Sequence, residues 1–383
     1  MLLLDLTHTS HTRAQTGIQQ VARALHVALP EPAGITWDLH AGQWRPLDPW
    51  EHANLAAREA GGRRGAYWPW SARLHGAWRK ITGATPVLPP ADALVVPELF
   101  SPATAAAFPA LFRAVRGPKV ALFHDAIALR LPEHSPARTV ARFPAYLQEL
   151  LAFDGIAAVS ADSRDTLLDY WRWIGVKNPP PVIAIPLGLA PAPAAPEQPP
   201  AGLPVVLCVG TIEGRKNHLA LLAAAASLWQ EGLRFELHLV GLAQAETGRA
   251  ALTRIRTLQA EGHPLRYDGP VDQTALEAAY RRCSFTVYPS LMEGFGLPVL
   301  ESLARGRPCI CSGRGALGET TRNGGCLALD NVDAAALTAA LRRLLTTPAE
   351  TAHLAAAARA RRFRTWTDYA ADLTGWLQTL RRT

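Results

Sequence analysis

None of the 383 residues lies in an apolar run near the roughly 20 residues that a membrane-spanning helix needs. The apolar opening Met1–Leu4 is ended by Asp5, so no secretory leader is visible. The opening suits a first β-strand, and the chain is expected in the cytoplasm. Lysine is scarce: only Lys80, Lys119, Lys177 and Lys216 stand among 39 basic residues. The cysteines number five, an odd count that argues against a disulfide framework. Cys309 and Cys311 alternate along an expected strand and read as small buried hydrophobes rather than zinc ligands. No repeat of 20–50 residues stands out. No G-x-G-x-x-G follows a strand with an acidic partner downstream, which argues against an NAD-dependent oxidoreductase. Charged residues make up 19% against 49% hydrophobic, so the chain is globular rather than disordered. Its net charge of +7 is almost all arginine in an alanine- and proline-rich composition. Such a bias weakens a nucleic-acid reading and leaves room for an anionic membrane or an acidic substrate.

What is present is a strand–loop–helix rhythm over a length that suits two domains. Three of its turns have the layout of a phosphate seat, where unpaired helix-terminal N–H groups meet an anion. The first follows the strand MLLLDL and leads through Thr16, a plausible N-cap, and Gly17 into a helix. The loop histidines His8 and His11 read as solvated side chains, with the option of facing a ligand. In the second, a buried strand ends at Gly210 and Thr211. Arg215-Lys216-Asn217 then precede a long helix. Two cations at a helix N-terminus oppose the macrodipole, so the pair reads as the seat of an anion. The third is YPSLMEGFGLPVLESLARGRPCICSG, residues 288–313. Gly294 and Gly296 free its backbone, and Pro298 suits the first helical turn. Glu293 and Glu301 flank the turn. From the residues alone, these acids fit either a hydrolase-type carboxylate pair or clamps on a nucleotide donor.

The string EGFGLPVLE resembles the paired-glutamate motif of the family-4 retaining glycosyltransferases. The string G-T-x-x-x-R-K-N, residues 210–217, resembles their diphosphate-binding element. His124-Asp125 resembles their HD element at a strand end, and residues 16–20 their amino-terminal TGI element, from which only Gly17 carries over. The likeness is close over about 205–370 and loose over 1–190. It implies a GT-B α/β fold, with two Rossmann-like domains facing across a cleft and a C-terminal helix crossing back. The expected division is an acceptor domain over 1–188, a proline-rich linker over 189–204, a donor domain over 205–365 and the returning helix over 366–383. The resemblance implies donor contacts from Gly17, Gly210, Thr211, Arg215, Lys216, Glu293, Gly294, Phe295, Gly296, Leu297 and Glu301. Glu293 would meet the sugar hydroxyls, Glu301 the ribose, the loop amides the diphosphate, and His124 the anomeric centre. His124, Arg215, Lys216 and Glu293 are the expected catalytic set, with no metal and no cofactor beyond the nucleotide sugar.

The implied reaction is metal-independent, retaining transfer of a hexose to a glycan or lipid-linked acceptor. GDP-mannose is the first expectation for the donor, with UDP-, dTDP- and other GDP-sugars open. The alternative is a non-catalytic nucleotide-sugar-binding scaffold. Residues 55–85 combine arginines with Trp68, Trp70 and Trp78. That stretch fits a contact with an anionic membrane, an acceptor-site insertion, or a surface helix with aromatics packed beneath it.

Overall fold

The computed structural model describes residues 1–14, 16–57, 66–84, 86–193 and 202–380. Residues 58–65 of the basic stretch and 194–201 of the proline-rich linker fall outside them. The chain divides into two compact units. One comprises Met1–His124, Pro144–Gly188 and Thr365–Thr383; the other comprises Asp125–Phe143 and Leu189–Arg364.

The first unit is a seven-stranded sheet built from β1 (Leu2–Asp5), β2 (Ala33–Asp38), β3 (Gln43–Pro46), β4 (Ala93–Val96), β5 (Lys119–Phe123), β6 (Gly155–Ala158) and β7 (Val182–Ala184). Its order is β3-β2-β1-β4-β5-β6-β7, and all pairs are parallel except β2 with β3. β4 and β6 are buried at every position, as strands covered by helices on both faces must be. The last helix, Trp366–Leu380, belongs to this unit. Gly155 opens β6 where a Cβ would lie 2.7 Å from the Trp376 ring, so the bare backbone makes room for that helix.

The second unit holds β8 (Val205–Val209), β9 (Glu236–Val240), β10 (Leu265–Tyr267), β11 (Phe285–Tyr288), β12 (Cys309–Ser312) and β13 (Cys326–Leu329). The order is β10-β9-β8-β11-β12-β13, parallel throughout. This is the 3-2-1-4-5-6 order of the doubly wound fold. Its main core joins β8, β9 and β11 to the helices His218–Gln230 and Ala334–Thr346 through residues such as Leu221, Phe235, Val287 and Leu341.

Asp125–Phe143 clusters with the second unit, although the sequence reading kept it in the first. The local reason is packing: His134 lies against the Arg215 loop at Gly214. A Cβ there would come within 2.9 Å of His134 Nδ1. The edge pair β2–β3 was also not anticipated from the sequence.

Candidate active site

Open α/β sheets bind ligands beyond the carboxyl ends of their strands, where the strand order reverses. In the second unit that point lies between β8 and β11, which are hydrogen-bonded neighbours. The loops that leave these two strands are Gly210–Asn217 and Pro289–Gly296. The topology therefore brings together the two loops that the motifs single out. They are tied through the backbone, Leu291 N–H donating to Arg215 O at 2.9 Å.

Each loop has a local reason for its shape. Gly214–Lys216 forms one 3-10 turn, and Asn217 follows in the left-handed region at φ 56°. Asparagine tolerates that conformation better than other side-chain-bearing residues. Its Nδ2 donates to Val332 O at 2.7 Å, which fixes the start of the helix His218–Gln230. In the other loop Gly296 takes φ 102° as the N-cap of the helix Leu297–Ala304. A Cβ there would lie 2.7 Å from Leu317 Cδ2, so both backbone and space require glycine. Among the described residues, no hydrogen bond is donated by the amides of Phe295, Gly296 or Leu297. Three open donors thus stand at a helix N-terminus, as an anion seat requires.

Arg215, Lys216 and Glu293 meet in one cluster, in which Lys216 is buried and Arg215 is partly exposed. Arg215 Nη1 donates to Glu293 Oε2 at 2.9 Å, and Nη2 pairs with Glu213 Oε1 at 2.7 Å. Lys216 Nζ pairs with Glu293 Oε1 and donates to the Tyr288 hydroxyl. Tyr288 OH donates to Glu293 Oε1 at 3.0 Å, and Ser290 Oγ donates to the same oxygen. Burial pushes the Glu293 carboxyl up, but Arg215 and Lys216 outweigh it and hold the pKa down at about 2. Burial lowers the affinity of Lys216 for its proton, opposed by Glu293. Burial also works against the Arg215 charge, yet Glu293 and Glu213 hold its pKa above the ordinary value.

This corrects one step of the sequence argument. By sequence alone the cation pair calls for an external anion, because positive charge at a helix N-terminus opposes the macrodipole. The structure supplies an internal anion: Glu293 sits between the two cations. Tyr288, Ser290 and Glu213 complete the cluster and were missed. The legible signal for Tyr288 and Ser290 was their position, at the last residue of β11 and the start of its loop.

Glu301 is not part of that cluster. It lies on the helix Leu297–Ala304 and forms no ion pair among the described residues. Its neighbour Arg305 instead donates Nε–H to Glu277 Oε2 at 2.9 Å. Burial pushes the Glu301 carboxyl up, against the pull of Arg305. Gly210 directly follows β8, and Gly241 approaches it so closely that a Cβ on Gly241 would lie 2.0 Å from Gly210 O. Thr211 follows directly, and Gly294 is buried.

Two expected site residues lie in the first unit. His124 follows β5, and its Nε2 is 2.7 Å from Pro97 O. Gly17 is the first residue of the helix Gly17–Ala28, and a Cβ there would meet nothing within 4 Å. Packing therefore gives no reason for glycine at that position. The reversal point of this sheet, between β1 and β4, carries buried polar groups. Glu98 Oε2 accepts the His8 and Thr9 N–H groups at 3.0 and 3.2 Å. His11 is buried rather than solvated. Its Nε2 is 2.7 Å from Glu51 Oε1, and its ring stacks on Trp50. Glu51 and Asp38 in turn hold the buried Arg45. Among the described residues no cluster of three or more His, Cys, Asp or Glu side chains could hold a metal ion. No helix among them is long and apolar enough to cross a membrane.

Two Rossmann-like, parallel-sheet units with a returning C-terminal helix define the class: the fold is GT-B. Residues 194–361 match the family described as glycosyl transferases group 1. The chain is 26% identical over 332 residues to a serotype-specific mannosyltransferase, WbdA, of Escherichia coli, covering 81% of this chain and 38% of that protein. It is 31% identical over 229 residues to the O-antigen chain mannosyltransferase B of Escherichia coli, covering 56% of this chain and 58% of that one. It thus spans less than two thirds of the length of either relative. Among solved structures, sucrose-phosphate synthase from Thermosynechococcus elongatus superposes at a TM-score of 0.70, with 21% identity over 99% of this chain and 98% of that one. HepE of Anabaena, solved with UDP and glucose, also reaches 0.70, with 14% identity over 99% of both chains.

Proposed function

We propose that the chain is a retaining, metal-independent glycosyltransferase that moves a hexose from a nucleotide diphosphate sugar to a glycan or lipid-linked hydroxyl. The observation that carries this reading is the part-buried Arg215–Lys216–Glu293 cluster beside three open amides at the reversal point of the sheet. Two cations and a helix N-terminus suit a diphosphate leaving group, in the manner of preorganised electrostatic catalysis. Lys216 would be a point charge on the phosphate, and Arg215 a fork that spans two oxygens. Neither demands a metal. When diphosphate enters, it competes with the Glu293 carboxylate for the cations, and Glu293 becomes available to the sugar hydroxyls. The bond from the anomeric carbon to the phosphate oxygen breaks as the acceptor oxygen attacks from the same face. The acceptor proton passes to the departing phosphate, so no enzyme nucleophile is needed. His124 would support the developing positive charge, Gly17 would leave room for the donor, and Glu301 would hold the ribose.

The mannosyltransferase relatives favour GDP-mannose as donor in surface-polysaccharide synthesis. The basic, tryptophan-bearing part of 55–85 would keep the chain at a membrane that carries a lipid-linked acceptor. A thermal-shift screen of UDP, GDP, dTDP and ADP, followed by donor hydrolysis without acceptor, tests the reading. Stabilisation by GDP with slow release of mannose is expected. Tight binding without turnover of any donor would favour a scaffold instead. Lys216→Ala should cost about 2–4 kcal/mol of transition-state stabilisation, and activity within threefold of the parent would refute its role. Activity in EDTA should be unchanged; a strict requirement for added Mg²⁺ would overturn the metal-free mechanism.

A further inference from the structure

The helix Trp70–Thr82 is built the wrong way round for a surface helix of a globular protein. Its packed side is made of the small residues Ala72 and Gly76 together with Arg79. Gly76 sits so close to β2 and the turn after it that a Cβ would lie 2.6 Å from His40 Cβ. Arg79 reaches across to Asp48 Oδ1 at 3.2 Å and to Asp38 Oδ2 at 3.5 Å. The large apolar side chains point the other way. Trp70 is 74% exposed, Leu74 48%, Trp78 59% and Ile81 85%. At 3.6 residues per turn these four fall within an arc of about 80°, opposite the packed side. Scattered exposed apolar residues are ordinary, but a continuous stripe of this kind marks an interaction surface.

The charges around the stripe select the partner. Arg73 and Lys80 are exposed on one flank, and Ser71, His75 and Thr82 lie on the other. The helix contains no Asp or Glu, and neither does the whole stretch from Gly61 to Ala91. A two-fold contact with a second copy would bring Arg73 and Lys80 towards their own counterparts with no acid to pair them. A lipid surface bearing negative headgroups meets both requirements at once. Tryptophan suits the boundary between headgroups and acyl chains, and flanking cations suit the headgroups. With 13 residues the helix is too short to span a bilayer and fits one lying flat in the interface.

We infer that the outward face of this helix, Trp70, Leu74, Trp78 and Ile81 flanked by Arg73 and Lys80, docks the first unit onto an anionic lipid surface. The inference rests on the membrane reading of residues 55–85 and narrows it to one helix face and one lipid charge. The test is co-sedimentation of the full chain with phosphatidylglycerol–phosphatidylcholine vesicles and with phosphatidylcholine alone, beside sedimentation velocity without lipid. The parent should bind the anionic vesicles, and loss of each cation should weaken binding roughly fivefold. Trp70→Ser with Trp78→Ser should weaken it at least tenfold while leaving melting temperature and donor hydrolysis unchanged, because neither side chain is packed. No vesicle binding by the parent would remove the membrane reading altogether. Binding that survives the double substitution would sink this face while leaving membrane contact elsewhere on the chain. A parent dimer that the double variant abolishes, with no lipid binding, would assign the stripe to a second copy and overturn the proposal. The assay uses no nucleotide sugar, so its outcome stands apart from the donor reading.

Discussion

Glu293→Gln keeps the shape of the side chain and removes the charge that sits between Arg215 and Lys216. The carboxyl is held at about 2, against 4.5 for an ordinary glutamate. At about 1.4 kcal/mol for each tenfold change in proton affinity, this corresponds to about 3 kcal/mol of stability at neutral pH. The side chain is 9% exposed, so solvent screening takes little from that figure. A depressed folded-state pKa gives stability that is full above 4.5 and is lost as pH falls towards 2. The gap between parent and variant should therefore be constant from pH 7 to 5, and more than half of it should be gone by pH 3. In a unit of this size the loss corresponds to a melting temperature lowered by about 6–12 °C at pH 7. Differential scanning calorimetry from pH 3 to 7 would follow it. The same cluster makes a second demand on the variant. Inorganic pyrophosphate or GDP would no longer compete with the carboxylate, so either should stabilise the variant more than the parent. Equal stability at pH 7, or a gap unchanged at pH 3, would refute the energetic argument. A smaller ligand response in the variant would refute the idea that carboxylate and diphosphate share one seat.

Asp5 presents the opposite case, since burial raises its pKa from 3.8 to about 7. Its stability is full below 3.8 and is lost as pH rises through 7, so Asp5→Asn should be the more stable form at pH 8 by up to about 4 kcal/mol, with the gap nearly closed at pH 4; equal gaps at the two values would contradict this. Gly296→Ala places a side chain at φ 102° and within 2.7 Å of Leu317, so about 1–3 kcal/mol should be lost together with nucleotide affinity by calorimetric titration. Trp171 is fully buried with its indole N–H donating to Leu147 O at 2.9 Å, so Trp171→Ala should cost about 3–5 kcal/mol in denaturant unfolding of the first unit.

The parallel strands of both units were legible because strands covered on both faces must be apolar throughout. The two loops of the candidate site were legible for a related reason. Glycines, cations and acids between an apolar strand and a helix have few structural uses, and topology then brought both loops to one reversal point. What escaped the sequence was pairing across distance. Nothing local in EGFGLP says that Glu293 lies between Arg215 and Lys216, some 77 positions away. The buried set of Arg45, Asp38, Glu51 and His11 is likewise spread over four elements, and each member alone looks like a surface residue. Two helices, Pro102–Ala114 and Ala137–Glu149, carry proline inside them and so weaken their own pattern. The tryptophans of 55–85 were visible, but which of them faced outward was set by small residues on the other side of the helix.

The cysteines have a practical consequence. Cys208, Cys283, Cys309 and Cys311 are buried, and Cys326 is half-buried. Burial pushes the Cys208 and Cys283 thiols up to about 12. At neutral pH each is then reactive thiolate only about one part in 10⁵ of the time. A thiol introduced by Ala77→Cys on the exposed helix face would react with a maleimide dye far ahead of these two. The chain thus accepts a polarity-sensitive reporter at the face proposed to meet lipid, with Cys208 and Cys283 left in place.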